Sequence, residues 1–150
     1  HQDTITHAQI VALAAHYFLH VDSKRDGLID WLLCQDLFDN NAEANKWADS
    51  AADYVLGGKT GIKATSISAY MAYAVTSFNS LGEIMKDAVA RGGDTDSAAA
   101  VSVAVASCCP EIINDIPHNL TASMDAANPG FGVEYLNTIE AKLRHVYKIA

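Results

Sequence analysis

Apolar residues along this chain fall into blocks separated by short polar or glycine-rich punctuation, and most blocks repeat at helical spacing. Residues 8–21, AQIVALAAHYFLHV, are apolar nearly all round, the pattern of a helix buried on most sides. Asp22 to Gly27 forms a charged turn. Leu28, Ile29, Leu32 and Leu33 then share a helical face. A further amphipathic helix is expected from Ala42 to Leu56, with Ala44, Trp47, Ala51, Tyr54 and Val55 near one side and Gly57-Gly58 ending it. Two short helices follow, over 66–78 and 81–90, joined at Asn79-Ser80. Gly92-Gly93 punctuates again, Asp94 opens a helix of small residues, AAAVSVAVASCC, and Pro110 stops it. Residues 110–132, with three prolines and two glycines, read mainly as irregular chain. The last helix sets Val133, Leu136, Ile139, Leu143 and Val146 on one stripe with charges opposite. No strand pattern and no internal repeat is visible. The class expected is all-α, one domain or part of one.

Composition narrows the function classes. Half of the 150 residues are hydrophobic, enough for a sizeable core. The net charge of -8 argues against nucleic acid or an anionic membrane as partner. No apolar run reaches the roughly 18 residues of a membrane helix, and no signal peptide is apparent. The three cysteines, Cys34, Cys108 and Cys109, are an odd set with one adjacent pair, which suits reduced thiols in a cytoplasmic protein. The sequon Asn119-Leu120-Thr121 reads as coincidence. Asp22, Asp26 and Gly27 sit at offsets of a calcium loop, but Lys24 and Leu33 occupy ligand positions, so an EF-hand is excluded.

Candidate chemistry concentrates in Gly92-Gly93-Asp94-Thr95-Asp96-Ser97. Two carboxylates two residues apart, with a hydroxyl next to them, stand where a loop becomes a helix. Glycines let the backbone turn sharply and approach a ligand closely. Every donor is oxygen, a set suited to hard cations such as Mg²⁺ or Mn²⁺. From spacing alone, plain helix capping by Asp or Thr is the simpler reading.

GGDTDS followed by an Ala-rich helix resembles the C-terminal metal motif of the ADP-ribosylglycohydrolases, a family that includes the dinitrogenase reductase-activating glycohydrolase and the animal ADP-ribosylhydrolases. The surrounding order is similar too. Gly61-Ile62-Lys63-Ala64-Thr65 leads into an Ala/Tyr helix, then the helix at 81–90, the motif, and Ile116-Pro117. Thr4-Ile5-Thr6-His7 before a buried helix resembles an earlier family segment with a Thr-His pair. The resemblance implies an ADP-ribosylglycohydrolase-like helical bundle of which residues 1–150 form the C-terminal part of a single domain. It implies Asp94, Asp96 and Ser97 as metal ligands in one half of a site for two Mg²⁺ or Mn²⁺ ions. It implies His7, Gly61, Ile62, Gly92, Gly93 and Thr95 beside the substrate, although His7 taken by itself is an ordinary residue at a helix start.

The activity implied is metal-dependent hydrolysis of the glycosidic bond between ADP-ribose and a protein side chain or other acceptor. The alternatives are a non-catalytic ADP-ribose-binding protein or a crystallin-like structural protein of the same fold. The catalytic glutamate and a Thr-Asp-Asp ligand run belong to the family's N-terminal half, and no Thr-Asp-Asp occurs here. After the small-residue helix the family often carries aromatics and glycine; here stand Cys108, Cys109 and Pro110. The expected partners are ADP-ribose or an ADP-ribosylated protein, and the missing half or another copy of the chain. The chain alone is expected to be inactive and poorly folded, because the helices at 8–21 and 98–109 are apolar on too many sides for a small bundle to cover.

Overall fold

A computed structural model describes residues 2–39, 41–55, 57–128 and 130–147. The described chain is mostly helical, with no strand, in agreement with the all-α reading. It divides into two compact units, one running through Asp115 and the other beginning at Ile116.

Among the described residues the first unit holds six α-helices: α1 (Gln2–His16), α2 (Leu28–Leu33), α3 (Ala42–Val55), α4 (Ala64–Ser77), α5 (Leu81–Arg91) and α6 (Thr95–Ala106). Helix α1 continues into a wider π-type turn, Tyr17–Val21, and a short 3₁₀ turn, Asp36–Phe38, precedes α3. Helix α4 is the centre: α1, α3 and α6 all pack against it, and α5 packs on α6. Its sequence, ATSISAYMAYAVTS, explains the position. With no charge and small or apolar residues on every side, it buries Ser68, Ala69, Tyr70, Met71, Ala72, Ala74 and Val75. Against it α6 presents small residues, burying Ala98, Ser102, Val105 and Ala106. Helix α1 buries Ile10 and Ala14, and the turn after it Tyr17 and Phe18, while Ile5, Leu19 and Val21 stay exposed.

Polar details fix the ends. Ser80 caps α5 by accepting from the Glu83 N–H at 3.2 Å, and Glu83 accepts in return from the Asn79 N–H at 2.9 Å. Asp115 accepts from the Gly82 N–H and the Ser80 hydroxyl. The charged turn after α1 is a tie rather than an ion site: Arg25 donates to the Phe78 carbonyl and the Asn79 side chain and pairs with Glu111. All three cysteines are free, Cys109 buried and Cys34 exposed. No helix among the described residues is long and apolar enough to cross a membrane.

The second unit is a helical hairpin, α7 (His118–Ala127) packed on α8 (Val133–Tyr147). Helix α7 corrects the sequence reading of 110–132 as irregular. Its composition, HNLTASMDAA, carries only Leu120 and Met124 at an i, i+4 spacing, too little for a visible stripe. Pro117 nevertheless supplies the extended backbone from which a helix starts, at φ -61° and ψ 131°. Leu56, where the sequence ends the third helix, and the Val55 side chain lie outside the described residues.

Candidate functional site

The Gly-Gly-Asp-Thr-Asp-Ser turn joins α5 to α6. Gly92 ends α5 at φ 72° and ψ -176°, and Gly93 follows at φ 86°, both in backbone regions that favour glycine. Gly93 forms an isolated parallel bridge with Thr60 in the loop between α3 and α4. The Asp94 N–H donates to the Thr60 carbonyl at 3.3 Å, and the Thr60 hydroxyl donates to the Gly92 carbonyl. Arg91 reinforces the seam by donating to the Gly58 carbonyl at 2.9 Å while paired with Asp87 at 2.6 Å. Its guanidinium lies 4.7 Å from the centre of the Tyr73 ring and is also flanked by Tyr54 and Tyr70. The turn is therefore held from the loop side by the Thr60 carbonyl and hydroxyl and from the α5 side by a fixed arginine.

Asp94 stands at the N-cap of α6, where capping was the simpler reading. Its side chain makes no capping hydrogen bond. The Asp94 carboxyl instead meets that of Asp96. This contact, followed by the backbone N–H groups of Asp96 and Ser97, holds the Asp96 carboxyl below its ordinary value. Two carboxyl groups this close repel unless a proton or cation lies between them. With Ser97 beside them they fit a hard cation as part of a ligand set. Among the described residues no group of three or more His, Cys, Asp or Glu gathers around a possible metal.

His7 is not at a helix start. Because α1 begins at Gln2, His7 lies inside it, 2% exposed. Its Nε2 is 2.7 Å from the Thr65 hydroxyl and its Nδ1 3.0 Å from the Ser68 hydroxyl, both on the first turns of α4. Burial holds the imidazole below its ordinary value, against the opposing charges of Glu43 and Asp3. His7, Thr65 and Ile62 line a cleft of about 900 Å³ between α1, α3 and the start of α4. Asp3, Glu43, Lys46, Asp49 and Lys63 give it a mixed charged lining.

Of the residues expected beside a substrate, His7 and Ile62 thus share one cleft, whereas Gly61, Gly92, Gly93 and Thr95 do not line it. Neither do Asp94, Asp96 and Ser97. The two places are linked through the loop before α4: Thr60 holds the acidic turn, and Ile62, two residues on, lines the cleft. Sequence reading missed Thr65, Ser68 and the α3 charges. Thr65 and Ser68 are three apart on one helical face, a weak signal that acquires meaning only once His7 is placed opposite.

No protein-family model, curated protein or solved structure matches the chain.

Proposed function

We propose that the chain is part of a metal-dependent ADP-ribosylglycohydrolase-like hydrolase, in which Asp94, Asp96 and Ser97 supply one share of a Mg²⁺ or Mn²⁺ centre. The observation that carries this reading is the Asp94 side chain, which makes no capping bond and meets the Asp96 carboxyl instead. Capping alone gives no reason for two acids to converge. Before them Gly92 leaves its side of the backbone open, since a β-carbon there would meet nothing within 4 Å, while Gly93 is closed against Thr60. A bound cation would hold ribose hydroxyls and polarise a water, favouring departure of the acceptor from the sugar. The roughly 900 Å³ cleft at His7 and Ile62, which the acidic turn does not line, is of a size to hold a nucleotide-like ligand.

Two measurements test the reading. Calorimetry with Mn²⁺ should show binding that Asp94→Asn and Asp96→Asn each weaken; unchanged affinity in both variants removes the metal assignment. Chromatography of free ADP-ribose, released from an ADP-ribosylated protein with and without EDTA, tests the reaction. Binding of ADP-ribose without release would instead make the protein a non-catalytic binder.

A further inference from the structure

His7, Thr65 and Ser68 form a hydroxyl–imidazole–hydroxyl chain whose hydrogen-bond directions can be worked out. Ser68 Oγ donates its single proton to the Thr65 carbonyl at 3.2 Å. It must then accept at His7 Nδ1, 3.0 Å away. In the neutral imidazole that burial favours, Nδ1 carries the proton and Nε2 a lone pair. Thr65 Oγ1, 2.7 Å from Nε2, is therefore the donor. This is the one arrangement of a neutral ring that satisfies all three contacts. His7 and Ser68 are buried, but Thr65 is half-buried and lines the cleft.

A hydroxyl donating to an imidazole, whose other nitrogen is fixed by a third group, is the arrangement that activates a nucleophile. Thr65 is also the second residue of α4. The N–H groups of Ala64, Thr65 and Ser66 precede the first bond within the helix, from Ile67 to the Lys63 carbonyl. Lys63 at the N-cap makes no capping bond through its side chain. Backbone donors able to face a developing oxyanion are thus next to the hydroxyl itself.

We propose that Thr65 is a nucleophile toward activated acyl esters, with His7 as its general base and Ser68 as the positioning residue for the imidazole. Thr65 Oγ1 attacks the acyl carbon as His7 Nε2 takes its proton. The ester's alcohol leaves with that proton, and an acyl-threonine remains. Water then attacks the acyl carbon and gives a proton to Nε2. The bond to Thr65 breaks, Oγ1 takes the proton back, and the carboxylic acid departs. The step needs no metal and stands apart from the acidic turn.

The probe is p-nitrophenyl acetate on the whole chain in EDTA, so that failure here leaves the metal proposal untouched. Peptide mass spectrometry should place an acetyl group on Thr65, accompanied by a burst of p-nitrophenolate. The acylation rate should rise with pH and level off as His7 loses its proton in the field of Asp3 on α1, Glu43, Lys46 and Asp49 on α3, and Lys63 before α4. Thr65→Ser should retain the acetyl at this position, Thr65→Val should lose it, and His7→Gln should slow acylation about 100-fold. Ser68→Ala should slow it less and shift the pH profile. Wild-type protein with no acetyl on Thr65, or a burst unchanged in Thr65→Val, overturns the proposal.

Discussion

The carbonyl oxygen of Thr60 occupies the space that a β-carbon on Gly93 would need. The obstacle is backbone, so a rotamer change cannot relieve it, and Gly93 also sits at φ 86°. Gly93→Ala should therefore lower stability by more than about 3 kcal/mol, the steric conflict adding to the conformational strain. At Gly92 a β-carbon would meet nothing within 4 Å, so Gly92→Ala should cost only the strain, about 1–3 kcal/mol. Urea unfolding of both variants measures the difference. Equal losses would show that the seam between Thr60 and Gly93 does not hold the turn.

Metal affinity at the acidic turn should be weak in this chain alone. Two carboxylates and a hydroxyl leave most positions of a hard cation to water, so a Kd of about 1 mM is expected. Thermal unfolding with rising Mn²⁺ should show a gradual gain in Tm that Asp96→Asn abolishes.

Acid should destabilise the first unit through His7. Its folded-state value lies below the ordinary 6.5 because the ring is buried. As the pH falls below about 6.5, the unfolded chain takes up a proton that the folded chain refuses. The His7 contribution is thus fully present above that pH and is lost progressively down to the folded-state value. Urea midpoints at about pH 8 and about pH 5.5 should differ more in the wild type than in His7→Gln. A pH response unchanged by the substitution would mean that other groups carry it.

Ser102 is fully buried on α6, and its hydroxyl has no hydrogen-bond partner. Ser102→Ala should raise stability by about 1 kcal/mol, since it removes a polar group already deprived of water. A loss on substitution would reveal a partner for that hydroxyl.

Self-association should run through α8. Leu136, Leu143 and Val146 are 51%, 49% and 66% exposed. The stripe is nearly symmetric along the helix. In an antiparallel pair centred between Ile139 and Glu140, Leu136 meets Leu143 of a second copy, Val133 meets Val146, and Glu134 faces His145. A two-fold interface requires this kind of self-matching. Light scattering should show a dimer, and Leu136→Lys with Leu143→Lys should give monomers. A monomeric wild type would assign the stripe to another partner.

Much of the first unit was legible because its signals are local. The short helix expected over 66–78 is found at Ala64–Ser77. Paired glycines announce the turn before α6. Helix α7 was hidden because two apolar residues among polar ones leave little periodicity to read. The beginning of α1 was placed too late for a related reason: Asp3, Thr4 and Thr6 dilute the apolar pattern, although Thr6 and His7 are buried. The cleft was not legible at all. His7 meets Thr65 and Ser68 across 58 and 61 residues of chain, and single-sequence periodicity carries no information about such pairings. The acidic turn was visible as composition, but that Asp94 turns away from capping is a property of side-chain direction, which spacing cannot give.

The enclosure of α4 has a consequence for how the first unit assembles. Its partners are drawn from both directions along the chain, α1 and α3 before it and α6 after it. An emerging polypeptide that has not yet reached Ala106 has no cover for one side of its central helix. The central helix must therefore wait, and the first unit should consolidate in one late cooperative step. Amide exchange should then be slowest along Ala69–Val75, released only when the whole unit opens.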